Sequence, residues 1–233
     1  MRNTSSWKKI LVLVVILMVP GFLYYLLQEK GKNRYRPLNI YGPKELSGTF
    51  HTKRGKKIAD TTYHQIRDFK LIDQQGKEFS FPLDSTKITI FNFFFTRCSS
   101  FCKQMNGQMD FLADKYNDNR MLRFCSVSVD PEYDSPEVLA KYAQSFHANP
   151  KKWFFLTGNK GLIFDLAKRD FLVDAYKDHS DTSTIVHSPM LILVDPQKRI
   201  RGYYDSDNKE QMSKLDDEIK VLIVEELRKV TDR

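Results

Sequence analysis

Cys98 and Cys102 stand four apart, directly after the apolar run Ile88-Thr89-Ile90-Phe91-Asn92-Phe93-Phe94-Phe95. Thiols at that spacing at the start of a helix project to one side with Cβ atoms about 5 to 6 Å apart, so one ligand can bridge them. The spacing is slightly wide for an unstrained disulfide, which prefers Cβ atoms about 3.5 to 4.5 Å apart, so an oxidised pair would reduce more readily than a structural disulfide. Helix-start N–H groups favour negative charge, and the thiol nearest them is expected to ionise more readily than an ordinary cysteine. Two soft thiolates suit Cu(I) or zinc, and an imidazole as third ligand would complete a site of low coordination number. His187, before Ser188-Pro189 and a strand, is the candidate for that third position. The bland alternative is that the cysteines pack inside a helix and His187 is an ordinary loop residue.

Cys125, within Leu122-Arg123-Phe124-Cys125-Ser126-Val127-Ser128-Val129, reads as a small buried strand residue. His51, His64, His147 and His179 have no partner that the sequence names and read as surface or packing residues. Three cysteines in 233 residues do not make a disulfide scaffold.

The elements that must position these groups alternate between strand and helix, the pattern of an α/β fold with a central mixed sheet flanked by helices. Strands are expected over 66–71 and 77–81, joined by the turn Asp73-Gln74-Gln75-Gly76. Residues 88–95 are β-branched and aromatic throughout, as in a central strand covered on both faces. A helix over 101–116, a strand over 122–129, a helix from Pro136 to Phe146 capped by Ser135, and a strand over 153–158 follow. A helix over 160–169, a hairpin of 190–194 with 199–204, and a terminal helix over 208–230 complete the expected order. Cys98 then falls at a strand-to-helix corner and His187 just before a strand, positions where open α/β sheets carry functional groups.

The net charge of +8 is unevenly placed. Residues 1–59 hold 12 Lys/Arg and 2 Asp/Glu, whereas residues 60–233 hold 25 and 27, so the basic balance belongs to the N-terminal arm and gives no sign of a nucleic-acid-binding domain. The 18 residues from Ile10 to Leu27 carry no charge, close to the roughly 20 that cross a bilayer as a helix. Val19-Pro20-Gly21-Phe22-Leu23 offers no small-residue cleavage site, and Tyr24-Tyr25 falls where an interfacial aromatic belt would, which favours an uncleaved anchor over a signal peptide. Arg2, Lys8 and Lys9 precede the span and Lys30, Lys32, Arg34 and Arg36 follow it, so charge alone does not fix its orientation. The expected organisation is a membrane anchor over 1–28, a basic tether over 29–62 with a short strand near Thr49-Phe50-His51, and a domain over 63–233.

Four segments in order resemble the Sco/SenC family: Phe93-Phe94-Phe95-Thr96-Arg97-Cys98-Ser99-Ser100-Phe101-Cys102, Ser126-Val127-Ser128-Val129-Asp130-Pro131-Glu132-Tyr133-Asp134, Trp153-Phe154-Phe155-Leu156-Thr157-Gly158 and Val186-His187-Ser188. The resemblance runs from about His64 to the end of the domain. It implies a thioredoxin-like fold, copper bound as Cu(I) or Cu(II) by Cys98, Cys102 and His187, and a role in assembling the dinuclear copper centre of cytochrome c oxidase. The copper-bearing oxidase subunit would be the partner, and the soluble domain would lie on the periplasmic side of an inner membrane. Where the family commonly has Pro after the first cysteine and Asp before the histidine, this chain has Ser99 and Val186.

A metallochaperone is thus the first expectation. A thiol-disulfide oxidoreductase acting on a partner protein through Cys98 and Cys102, with His187 dispensable, is the alternative. A peroxidase-like enzyme ranks last, because it needs a charged group such as Arg97 poised beside the reactive thiol.

Overall fold

The seven residues of β5 (Ile88–Phe94) are buried in succession, so this strand has to lie in the middle of a sheet with both faces covered. The computed structural model describes residues 6–31, 37–53, 56–82, 84, 86–98, 101–173, 175–177, 185–187 and 189–231. The segment at 1–37 and the segment from Leu38 onward are separate compact units.

In the first unit, α1 (Ser6–Gly31) is a single helix with Pro20 inside it. Its side chains from Trp7 to Tyr25 are exposed, including every large apolar one.

The second unit opens with a two-stranded antiparallel ribbon, β1 (Lys44–Lys53) and β2 (Lys56–Tyr63), where the sequence reading expects an aperiodic tether with one short strand. The ribbon packs into no larger sheet, so no alternation of apolar residues marks it in the sequence. The central sheet adds β3 (Phe69–Asp73), β4 (Glu78–Phe81), β5, β6 (Leu122–Ser128), β7 (Trp153–Thr157), β10 (Met190–Val194) and β11 (Ile200–Asp205). Its order is β11-β10-β5-β6-β7-β3-β4, with β5, β6 and β7 parallel and the outer strands antiparallel to their neighbours. A further small pair, β8 (Ala175–Lys177) with β9 (Ile185–His187), lies outside this sheet.

Strand alternation divides the core between the two faces. Phe91 and Phe93 face Phe69, Phe81, Phe171 and the short helix α4 (Lys160–Asp165), which runs into a π turn over Leu166–Asp170. Ile88, Ile90 and Phe94 face α2 (Cys102–Lys115), α3 (Pro136–Gln144) and α5 (Lys209–Thr231). The expected Ser135 cap is present, its side chain accepting from Val138 N at 3.4 Å with Pro136 at the first helical position. The expected helix over 160–169 instead splits at Leu166. There Phe171 N donates back five residues to Leu166 O at 2.8 Å, and a π turn of this kind leaves no mark in apolar spacing.

Candidate functional site

The thiols lie where β5 ends. After Phe94 the chain leaves the sheet through Phe95, Thr96 and Arg97, and Cys98 N donates to Phe95 O at 3.2 Å. Ser99 and Ser100 lie outside the described residues. Helix α2 begins at Cys102 itself, with no side-chain cap from Phe101. The pair is therefore one loop cysteine and one first-turn cysteine, rather than two residues on a single helix face.

Sequence spacing still brings them together, through the loop. All three cysteines are thiols, Cys98 half-buried, Cys102 and Cys125 buried. Burial pushes the Cys102 thiol well above the ordinary cysteine range, its hydrogen bond with Cys98 adds to the rise, and a hydrogen bond from the Phe95 backbone opposes it. That reverses the expectation of a helix-start thiol made more acidic: loss of water around a first-turn residue inside the core outweighs the terminus. Cys125 is enclosed in β6 on the opposite face of the sheet, its thiol also pushed up by burial, and it takes no part in the pair.

A buried carboxylate that sequence reasoning did not single out holds the loop. Asp134, fully buried, accepts from Thr96 N at 3.1 Å, from the Thr96 hydroxyl and from the Ser128 hydroxyl. Ser128 ends β6 and also accepts from Asp130 N at 3.1 Å. The tight turn Asp130–Asp134, closed by Asp134 N donating to Asp130 O at 2.9 Å, thus clamps the residues just before Cys98. The signal was present in the sequence as Ser128-Val129-Asp130-Pro131-Glu132-Tyr133-Asp134, read there as a resemblance and a helix lead-in.

Arg97 turns onto this same segment. Its guanidinium bonds Asp130 Oδ2 at 2.5 Å and stacks 4.1 Å over the Tyr133 ring. Its charge is thus engaged by Asp130. Behind the thiols, Tyr142 stacks on Phe94 at 5.3 Å and accepts from Asn106 Nδ2 at 3.0 Å, while Asn106 Oδ1 accepts from Asn92 Nδ2 at 2.7 Å. Burial pushes the Tyr142 phenol up to about 12, against the Asn106 hydrogen bond and with the nearby Cys102, Cys98 and Asp134 adding to the rise.

His187 ends β9, its backbone opposite Ala175, and Ser188 lies outside the described residues. It ends a short strand that the sequence does not announce and, as expected, comes just before another, β10. The sheet nevertheless fixes where its segment leads. β10 runs antiparallel to β5, with Ile192 opposite Phe91 and Val194 opposite Thr89, so the start of β10, three residues after His187, is at the end of β5 from which the Cys98 loop departs. Among the described residues, no cluster of three or more His, Cys, Asp or Glu side chains is assembled as a metal cage. The donor set that the described side chains provide is the two neighbouring thiols, a combination suited to a soft ion.

The SCO1/SenC family profile matches residues 58–223. This chain belongs to the SCO1/SenC family. A SCO2-like protein of Rickettsia typhi is 30% identical over 223 residues, covering 92% of this chain and 99% of its own length. Among solved structures, BsSco, a member of the Sco family of cytochrome c oxidase assembly proteins in which a disulfide switch was identified, superposes with a TM-score of 0.59 at 27% identity, over 69% of this chain and 94% of its own. Arabidopsis thaliana ScoI with copper bound superposes with a TM-score of 0.56 at 26% identity, over 70% of this chain and 98% of its own. The mixed sheet with helices on both faces is the thioredoxin-like fold of these Sco structures.

Proposed function

We propose that this chain is a membrane-anchored copper-binding factor for cytochrome c oxidase assembly, with Cys98, Cys102 and His187 as the ligands. The observation that carries the reading is the hydrogen-bonded Cys98–Cys102 thiol pair, held at the sheet end toward which the segment after His187 leads. Both thiols must give up their protons to become ligands, and a shared cation takes the place of the hydrogen bond between them. Cu(I) matches two thiolates, and an imidazole nitrogen extends the same site to Cu(II). The copper-bearing subunit of the oxidase is the recipient in this reading.

Helix α1, long and apolar enough over Trp7–Leu26 to span a bilayer, is the proposed anchor. The proposal keeps 1–28 as that anchor and sets the copper domain on the periplasmic side of an inner membrane, with the expected domain over 63–233 extended back to Leu38, where its compact unit begins, so that only the first part of the expected 29–62 stretch is left as basic tether. From Leu38 the chain is already hydrogen-bonded to the domain. Dithiol reduction is the weaker reading, because the two thiols stand four residues apart rather than at the three-residue spacing of the C-x-x-C redox pair.

The test is a Cu(I) titration against a competing chelator, with a Cu(II) spectrum, on wild type and on Cys98→Ala, Cys102→Ala and His187→Ala. Loss of either thiol should abolish tight Cu(I) binding. Loss of the imidazole should weaken it and change the Cu(II) spectrum. Unchanged affinity and spectrum in a folded His187→Ala variant would sink the three-ligand site.

A further inference from the structure

The ribbon β1–β2 is rooted on the domain and, among the described residues, forms a two-stranded sheet of its own. At its base Tyr41 N donates to Ile200 O at 2.9 Å, His64 N donates to Pro43 O at 3.1 Å, and His64 Nε2 lies 2.7 Å from Asp170 O. Past that point, among the described residues, its two strands pair with each other and with no further strand. A two-stranded hairpin alone in water is marginally stable, so a second surface against one of its faces would complete it.

Register sorts the side chains onto two faces. Lys44 opposite Tyr63, Leu46 opposite Thr61, Phe50 opposite Ala59 and Thr52 opposite Lys57 share one face. The side chains agree with that placement, since Lys57 Nζ lies 4.4 Å over the Phe50 ring and Lys44 Nζ lies 5.7 Å over the Tyr63 ring. Glu45, opposite Thr62, and Asp60, whose carboxylate accepts from Thr49 Oγ1 at 2.6 Å, belong to the other face. They are the only carboxylates between Lys44 and Tyr63. One face therefore carries lysines beside bare apolar groups, Leu46 being 76% and Phe50 55% exposed, while the acids are kept off it.

An anionic head-group layer matches such a face on both counts. Aliphatic and aromatic side chains settle at the boundary of head group and acyl chain, and lysines reach the lipid phosphates. An acidic protein would satisfy the lysines but not the bare Leu46 and Phe50. Chain length also favours the lipid. Only residues 32–37 separate the end of α1 at Gly31 from Leu38, whose N–H donates to Glu225 at 3.4 Å, and this stretch spans at most about 25 Å fully extended.

We infer that the Lys44, Leu46, Phe50 and Lys57 face of the ribbon rests on anionic phospholipid head groups of the bilayer that α1 crosses, an inference that depends on the anchor reading of α1. The experiment uses the full chain in nanodiscs of phosphatidylcholine alone and of phosphatidylcholine with phosphatidylglycerol, followed by hydrogen exchange across residues 44–63. Exchange should slow by about tenfold when the anionic lipid is present. Lys44→Glu with Lys57→Glu should remove that difference, while exchange in β5 stays unchanged as the check on folding. Equal ribbon exchange in the two lipids overturns the inference, and so does protection that appears only with rising protein concentration or on adding a soluble acidic protein. Co-elution with the nanodisc is scored separately. A chain that does not co-elute overturns the anchor reading and the inference together, whereas one that co-elutes with an unprotected ribbon overturns the inference alone.

Discussion

Three donors converge on Asp134, and none of them is close to it in sequence except Ser128. Removing the carboxylate strands Thr96 N and two hydroxyls in the interior, so Asp134→Ala should cost about 3 kcal/mol in chemical unfolding. It should also weaken Cu(I) binding, because the Cys98 loop loses its anchor. A variant that destabilises the domain yet binds Cu(I) as tightly as wild type would show that the clamp matters to folding alone. Cys125 makes the opposite case. Its side chain is enclosed on the far face of β6, so Cys125→Ala should leave Cu(I) affinity unchanged and cost about 1 kcal/mol. Its thiol is raised by burial above the roughly 8.5 of an unfolded cysteine. The neutral form is the one the fold favours, so this contribution is complete below that value and is lost as pH rises above it. Alkaline titration of stability should therefore fall less steeply in Cys125→Ala than in wild type. The cysteine pair and the buried Cys125 were legible because thiol chemistry and strand context are local. The Asp134 clamp was not, since its partner Thr96 lies 38 residues away and nothing in a single sequence pairs them.

At the scale of elements, what could be read was whatever announces itself in a short window. Ser135-Pro136 marks the start of α3, and Ser135→Ala should cost about 1 kcal/mol through the lost cap, measured as a shift in the unfolding midpoint. No shift at all would mean that the Val138 N–H finds water instead. β5 was legible as a doubly covered strand because its seven residues are apolar, β-branched or aromatic save for Asn92, whose amide is buried on Asn106. The elements that escaped are those with no periodicity to detect. β8 and β9 are three residues each, the π turn differs from an α-helix only in which carbonyl Phe171 N meets, and the ribbon has no core face. The first turn of α2 is the instructive case. Reading Cys98 and Cys102 as one helix face predicts neighbouring thiols, and the structure has them as neighbours for a different reason, because Cys98 sits in the loop that Asp134 holds and Cys102 in the first turn of α2.

Over the whole molecule, the basic stretch of 29–62, which lacks periodicity, suggested a domain that begins near Tyr63, but the hydrogen bonds draw a different line. Arg201, buried in β11, is held by Asp195 at 3.1 Å and by both Glu225 oxygens at 3.0 and 2.8 Å. It also donates to Leu38 O at 2.8 Å and Asn39 O at 3.2 Å. Two of its acceptors therefore come from a stretch that composition assigns to the tether. Nearby, Tyr41 meets Tyr203 edge-on at 5.6 Å between ring centroids. A chain of residues 38–233 keeps all of these contacts and should unfold in one cooperative transition as a soluble protein. A chain of residues 63–233 leaves two sides of a buried guanidinium without acceptors while its carboxylate partners stay in place. It should be less stable by about 2 to 4 kcal/mol, since an unsatisfied hydrogen bond to a buried charge costs more than the same bond is worth at a surface. Urea unfolding of the two truncations side by side decides the point. Equal midpoints would mean that water replaces the Leu38 and Asn39 carbonyls and that the domain starts with β3. A midpoint gap that closes when both truncations carry Arg201→Met, which lowers each of them but abolishes the need for the Leu38 and Asn39 acceptors, would trace the loss to this one buried group.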